Sequence, residues 1–243
     1  MKRLAEARSE VYRALALSFF EPTKDFSDEL RSGAFLTSLE KALVSAEAAE
    51  EAAGALRSLK KYAKSVREMN LLSFRTQMQV DFTKLFIGVG RPSAPPYESV
   101  HRGMSKPLER RLVMGDPVEE VKKEYAREGL TISTDCKELP DHAGLELEFM
   151  HFLTRKEAEA WKQGNEAEAL RKLRKQKSFL SKHLMRWFPK FCGDVDLLGK
   201  ESFYAPLAGI AKTFVLLESN RVGPSMMLAK PSAGRKDQEK SAR

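Results

Sequence analysis

ELPDHAGLELEFMHFL, Glu138 to Leu153, reads as a helix start followed by an amphipathic helix. Pro140 suits a first helical turn, where its missing N–H does no harm, and Asp141 favours the positive end of a helix dipole. His142, Leu145, Phe149 and Phe152 recur at helical spacing and share one apolar face. An Asp–His pair therefore opens a helix whose one side must be buried, with Glu138 and Glu146 within a turn of it. A single histidine on an apolar face is most simply a core residue held by a backbone partner. Four titratable side chains gathered at one helix end instead mark a candidate site.

Working outward, nearly every segment shows the same helical period. Leu4, Val11, Leu15 and Phe19 form a first stripe that Pro22 stops. Phe35 to Val44 gives a short second helix, and Ala46 to Met69 is rich in strong helix formers. Phe74, Met78, Phe82 and Leu85 make another stripe, which Gly88 is suited to cap. Three Pro and three Gly between Gly88 and Gly103 then interrupt the pattern and mark a hinge. Pro107 to Met114 and Pro117 to Glu128 read as short helices, and Gly129 closes the second. Asn165 to Phe188 reads as one long helix ended by Pro189 and Gly193, and Glu201 to Glu218 as the last. The expected architecture is an all-α bundle with two lobes: 1–88, a connector at 89–105, and 106–220, followed by a polar basic tail at 221–243.

The chain has 243 residues, 42% of them hydrophobic and 31% charged, enough to bury a sizeable core. No apolar run approaches the ~20 residues of a membrane span, and the longest, Phe203 to Leu217, is broken by Lys212. Arg8, Glu10 and Arg13 interrupt the N-terminal apolar positions, which argues against a secretory signal. Cys136 and Cys192 form no C-x-x-C pair, so free thiols in a reducing cytoplasm are expected. The net charge of +8 is local: +4 lies in the tail from Arg221 and +7 between Arg155 and Lys190, leaving −3 for the rest, which contains the Asp–His region.

Two other chemistries compete. Glu148-x-x-His151 and Glu98-x-x-His101 have the spacing of carboxylate-bridged di-iron or di-manganese bundles, which need two such motifs on facing helices. The basic run from Arg171 to Lys190, interleaved with Trp187 and Phe188, could serve a nucleic-acid binder, although such a run is more often a solvated helix face. Phosphate-loop, dinucleotide, nucleophile-elbow and H-E-x-x-H patterns are absent.

Three pieces together, DFTKLFIG (Asp81 to Gly88), PPYESV (Pro95 to Val100) and ELPDHAGLELEFM (Glu138 to Met150), resemble the TorD/DmsD/NarJ family of cytoplasmic chaperones for molybdenum-containing oxidoreductases. The third piece is the most specific. The resemblance spans about Val11 to Leu217 and leaves out the basic tail. It implies a two-lobed, TorD-like helical fold and a non-catalytic role without a cofactor of its own. The implied partner is a molybdopterin oxidoreductase catalytic-subunit precursor, gripped at its N-terminal, commonly twin-arginine, signal segment until its cofactor is inserted. Neither nucleic acid nor stable membrane insertion is implied, and the chain would act as a monomer or as a lobe-exchanged dimer. An arginine pair needs carboxylates, because guanidinium forks pair with them bidentately, and the apolar segment behind it needs a groove. Asp141, Glu138, Glu98 and Glu146 are the expected charges, Tyr97 and Leu145 the expected groove, and His142 the group that orients Asp141 or donates to the peptide.

Overall fold

The computed structural model describes residues 1–88, 92–103 and 116–228. Within them the chain is helical: α1 (Lys2–Ser18), α2 (Lys24–Ser32), α3 (Ala34–Ser45), α4 (Ala53–Val66), α5 (Leu71–Phe82), α6 (Glu98–Gly103), α7 (Asp116–Arg127), α8 (Ala143–Lys162), α9 (Glu166–Lys182), α10 (Leu184–Leu198) and α11 (Tyr204–Leu228). Side chains take the first orphan N–H groups where the sequence supplies a short acceptor. Thr23 caps α2, Asn70 caps α5 and Asn165 caps α9. Helix α5 runs on into a π-helical turn, Thr83–Ile87, and Gly88 ends it at φ 68° with its N–H on Thr83 O. The Phe74, Met78, Phe82 and Leu85 stripe is buried, as its spacing requires. Among the described residues no helix is long and apolar enough to cross a membrane.

Helix α1 is the axle of the bundle and packs along α8, while α11 packs on α10, α9 and α4. Phe19 at the end of α1 meets Phe188 at 5.8 Å and Phe191 at 5.4 Å, and Phe86 meets Phe191 at 6.0 Å. Residues from before and after the Pro/Gly connector thus join one apolar core. The connector is itself partly helical, since Glu98–Gly103 forms α6. Residues 92–97 lead into α6, while 89–91, 104–105, the helix expected at Pro107 to Met114, and the tail from 229 lie outside the described residues.

Several boundaries differ from the sequence expectation, each for a packing reason. Helix α2 was not expected. Ala46 to Ala52 is a turn, with Glu47 at φ 53° and Ala46, Ala48 and Ala52 buried, so α4 starts only at Ala53. The single helix expected from Asn165 to Phe188 breaks at His183 (φ −120°, ψ −90°). Pro189 does not end it but lies inside α10, where burial of Trp187, Phe188, Phe191 and Val195 outweighs one missing backbone bond. The last helix begins at Tyr204 and runs to Leu228, beyond the expected stop at Glu218 and into the segment expected to be disordered. Helix α8 begins at Ala143, not at Pro140.

One ion cluster ties four helices at the centre. Arg8 on α1 donates to both oxygens of Glu218 on α11 (2.9 and 2.7 Å), to Glu157 Oε2 on α8 (2.9 Å) and to Gln176 Oε1 on α9 (2.6 Å). Gln176 closes the ring by donating to Glu157 Oε2 at 2.9 Å. Burial works against the Arg8 charge, but Glu218 and Glu157 more than offset it and hold the guanidinium protonated. Removing one partner of such a buried cluster leaves the others uncompensated. Arg8→Ala should therefore lower the unfolding free energy by about 3–5 kcal/mol in urea titration. A loss below 1 kcal/mol, as for an exposed pair, would show that the cluster does not brace the bundle.

Candidate functional site

The site begins where two chain segments cross. Pro95 to Glu98 runs antiparallel to Pro140 to Ala143, with a bridge pairing Tyr97 and His142. Glu98 N donates to Asp141 O (3.1 Å), and Ala143 N donates to Pro96 O (2.8 Å). Each segment then turns into a helix, α6 and α8. Asp141 Oδ2 accepts the Ser99 N–H at 2.7 Å, so its side chain caps the first turn of α6 from another part of the chain. His142 caps α8 from an extended conformation (φ −72°, ψ 139°), with Nδ1 accepting the Gly144 N–H at 3.1 Å. That bond places the ring proton on Nε2, 4.0 Å from Glu138 Oε2. Phe20 stacks on the imidazole at 5.2 Å and Tyr97 meets it edge-on at 5.3 Å. A Cβ at position 144 would sit 2.7 Å from the Phe20 ring, so glycine is what allows that ring to lie there.

Four of the seven expected contact residues are sealed in the interior. Asp141, Glu98 and Glu146 are 0% exposed and His142 is 1% exposed. Most of their polar atoms are engaged inside the fold; Asp141 Oδ1 and Glu146 Oε1 are buried without a hydrogen-bond partner among the described residues. Glu98 pairs with His183 Nδ1 and with Arg102 NH1, both at 2.9 Å. Glu146 Oε2 accepts from Trp187 Nε1 at 3.2 Å, and no nitrogen or hydroxyl donor among the described residues reaches Oε1. Burial, then the charge of Glu98, pushes the Glu146 carboxyl well above the usual range. Burial also raises Asp141, against the bonds from Ser99. Burial alone pushes His142 down to about 3. In this structure these four groups present nothing to a peptide. Asp141 and His142 cap the two helices at the crossing, while the Glu98 and Glu146 side chains tie it to His183 and Trp187.

The other three stand nearer the surface. Tyr97, Glu138 and Leu145 are half-buried. Tyr97 OH donates to Glu138 Oε2 at 2.5 Å. Leu145 lines a cleft of about 460 Å³ between Phe20 just after α1, α7 with the loop that follows it, and α8. Phe20, Tyr125, Leu130, Ile132, Phe149 and Phe152 supply its apolar walls. The cleft therefore starts where the Phe20–His142 stack ends. Tyr125 is held in place by donating to Pro140 O at 2.9 Å and by packing on Phe149 at 4.8 Å. Phe20, Tyr125 and Ile132 escaped the sequence reading because no period links them; only tertiary packing does. A larger cleft of about 940 Å³ lies elsewhere, lined by Tyr62, Asp81 and Glu201 among others, and touches none of the seven.

The competing readings meet physical obstacles. Of the four residues in the metal reading, His101 Nε2 pairs with Pro95 O at 2.8 Å, His151 Nδ1 with Ser9, and Glu98 with His183 and Arg102, while Glu148 is exposed. Among the described residues no group of three or more His, Cys, Asp or Glu could hold a metal ion. In the basic run Trp187 and Phe188 are buried, so neither can stack on a base, and Arg171 and Lys172 pair with Glu128.

Comparison with known proteins places this arrangement. The family profile described as nitrate reductase delta subunit matches residues 45–193. A perchlorate reductase assembly chaperone protein from Dechloromonas aromatica is 30% identical, over 86% of this chain and 87% of its own length. The chain belongs to the TorD/DmsD/NarJ family. The chaperone protein TorD of Vibrio cholerae is 28% identical, over 88% of this chain and 91% of its own. A solved structure described as a redox enzyme maturation protein from Archaeoglobus fulgidus shares the fold, with a TM-score of 0.52 at 20% identity over 86% of this chain and 93% of that one. The TorD-like all-α fold expected from the three motifs is thus the one observed.

The buried imidazole gives a pH test. Its value lies near 3 in the folded chain and at about 6.5 unfolded. Between those limits the unfolded chain takes up a proton that the folded chain refuses, so stability is lost as pH falls below about 6.5. His142→Asn keeps a good cap and removes the titration. The stability difference, wild type minus His142→Asn, should fall from pH 7 to pH 4 by up to about 1.4 kcal/mol per pH unit. Carboxylates common to both proteins cancel in that difference. A pH-independent difference in urea titrations would mean that the imidazole is not shielded.

Proposed function

We propose that this chain is a cytoplasmic, non-catalytic chaperone that holds the N-terminal signal segment of a molybdopterin oxidoreductase precursor until cofactor insertion and assembly. The helical halves 1–88 and 106–220 would embrace that segment around the connector 89–105. Relatives named as an assembly chaperone and as TorD support the general role. The observation that carries the peptide reading is the apolar cleft beside the His142 crossing. Its walls come from three separate stretches of chain, and Tyr125 in one of them is held by its bond to Pro140 O. Such a groove suits an apolar segment in helical or extended form.

The energetics agree with a partner that must be released. Burying one leucine-sized side chain contributes ~1.5–3 kcal/mol. Two or three of them, after the cost of association, reach roughly micromolar affinity. Tyr97 and Glu138 sit where the crossing meets the surface, and Leu145 lies on the cleft wall. These three are the expected contacts, whereas Asp141, His142, Glu98 and Glu146 act by holding the walls in place.

Calorimetry of the full chain with a synthetic peptide bearing two adjacent arginines and a leucine-rich run provides the test. Leu145→Glu, which puts a charge against the apolar wall, should weaken binding at least about tenfold while the far-ultraviolet circular dichroism stays native. Equal affinity in both proteins would remove the cleft from the function.

A further inference from the structure

Helix α8 carries two acceptors on the cleft wall that lie outside the contact set expected from the motif. Glu148 and His151 both line the cleft, one helical turn apart. The His151 ring is fixed from behind by α1. Its Nδ1 lies 2.9 Å from Ser9 O and 2.8 Å from Ser9 Oγ, while Ser9 Oγ donates to His151 O at 3.2 Å. A carbonyl oxygen can only accept, and Ser9 Oγ has His151 O to donate to, so the arrangement favours the proton on Nδ1 and leaves Nε2 as the acceptor on the ring edge away from Ser9. Ser9 is 3% exposed, which makes this anchor an interior one. Glu148 is exposed and has no ion-pair partner among the described residues. Arg155, the cation on the same wall, is drawn off by Glu159 at 2.7 Å.

A cleft whose walls are mostly apolar, with Thr131, Ser133 and the Glu159-paired Arg155 as further polar members, therefore offers a carboxylate and a fixed imidazole nitrogen, both accepting. A planar group with several separated donors matches that pair better than a compact ammonium does. We propose that Glu148 and His151 form an acceptor pair that selects an arginine flanked by apolar residues in the bound segment. This rests on the peptide-binding reading above and adds to it the groups that read the guanidinium. His151 acts here as a specificity residue, positioned by Ser9.

The test uses the full chain and three peptides that differ only at the arginine pair: arginine, its neutral isostere citrulline, and lysine. Calorimetry on the wild type should show the arginine peptide bound about tenfold to a hundredfold more tightly than the citrulline peptide, with lysine between them. His151→Asn keeps a donor for Ser9 O and lacks the Nε2 acceptor; Glu148→Gln is an exposed, nearly isosteric change that leaves folding alone. Each should shrink the arginine-to-citrulline ratio, and the double variant should bring it to within about threefold of unity with citrulline-peptide affinity unchanged. A ratio that survives in the double variant overturns this assignment and leaves the peptide-binding reading intact. A wild type that binds none of the peptides overturns both.

Discussion

Asp141 holds two helix starts together, and the site depends on that. A helix of six residues such as α6 has little stability alone, because nucleation costs more than one turn returns. Its first N–H groups find acceptors on residue 141, Glu98 N on the backbone oxygen and Ser99 N on the side chain. The same crossing gives Ala143 N at the start of α8 an acceptor in Pro96 O. Two orphan helix ends are thereby satisfied against each other inside the protein, where unpaired donors would each cost about 1–3 kcal/mol. Once the crossing is set, Tyr97 and His142 are side by side, Phe20 closes over the imidazole, and the wall of the cleft follows.

Burying so many charges needs two different solutions. Around Arg8, the carboxylates of Glu157 and Glu218 face a cation, and the ring is completed by Gln176. Around Glu98, the cation Arg102 and the His183 imidazole serve one carboxylate, while its neighbour Glu146 is favoured as a neutral acid by burial and by the charge of Glu98. The first solution locks α1, α8, α9 and α11. The second locks α6 to α8 and α10, which explains why the chain breaks at His183: an uninterrupted helix would give up the turn that brings this imidazole to Glu98. The basic excess stays outside, on exposed Arg174, Lys177, Lys182 and Arg186.

Amphipathic period makes most of the helices legible in the amino-acid sequence. Phe74, Met78, Phe82 and Leu85 fall where their spacing puts them, because a stripe needs only local order and a core to face. The break at His183 leaves no trace in that period, since Leu180, Leu184 and Trp187 stay on the buried side across it. The start of α8 is misleading because Pro140 and Asp141 both suit a first turn, whereas the residue that caps it, His142, is not among the usual short acceptors. The motif places its charges in the stretch expected, but Asp141, His142, Glu98 and Glu146 are buried there and not exposed. Whether Asp141 faces solvent or Ser99 depends on where residues 97–99 lie, 42 positions away in the case of Ser99, and no local pattern carries that.

The inward use of the motif changes what it implies about recognition. A signature made of exposed contact groups would specify one ligand directly. Here Asp141, His142, Glu98 and Glu146 are spent on caps and internal pairs, so what they specify is the placement of Phe20, Tyr97 and Leu145. Substitutions among them would reach a bound segment only by shifting those walls. On the function proposed above, choice among ligands would reside in the side chains that line the cleft and are not consumed by the fold, of which Glu148 and the outer edge of His151 are the polar members on α8. On that proposal, a scaffold built this way would change its client by altering the wall of one helix while the crossing beneath it stays intact.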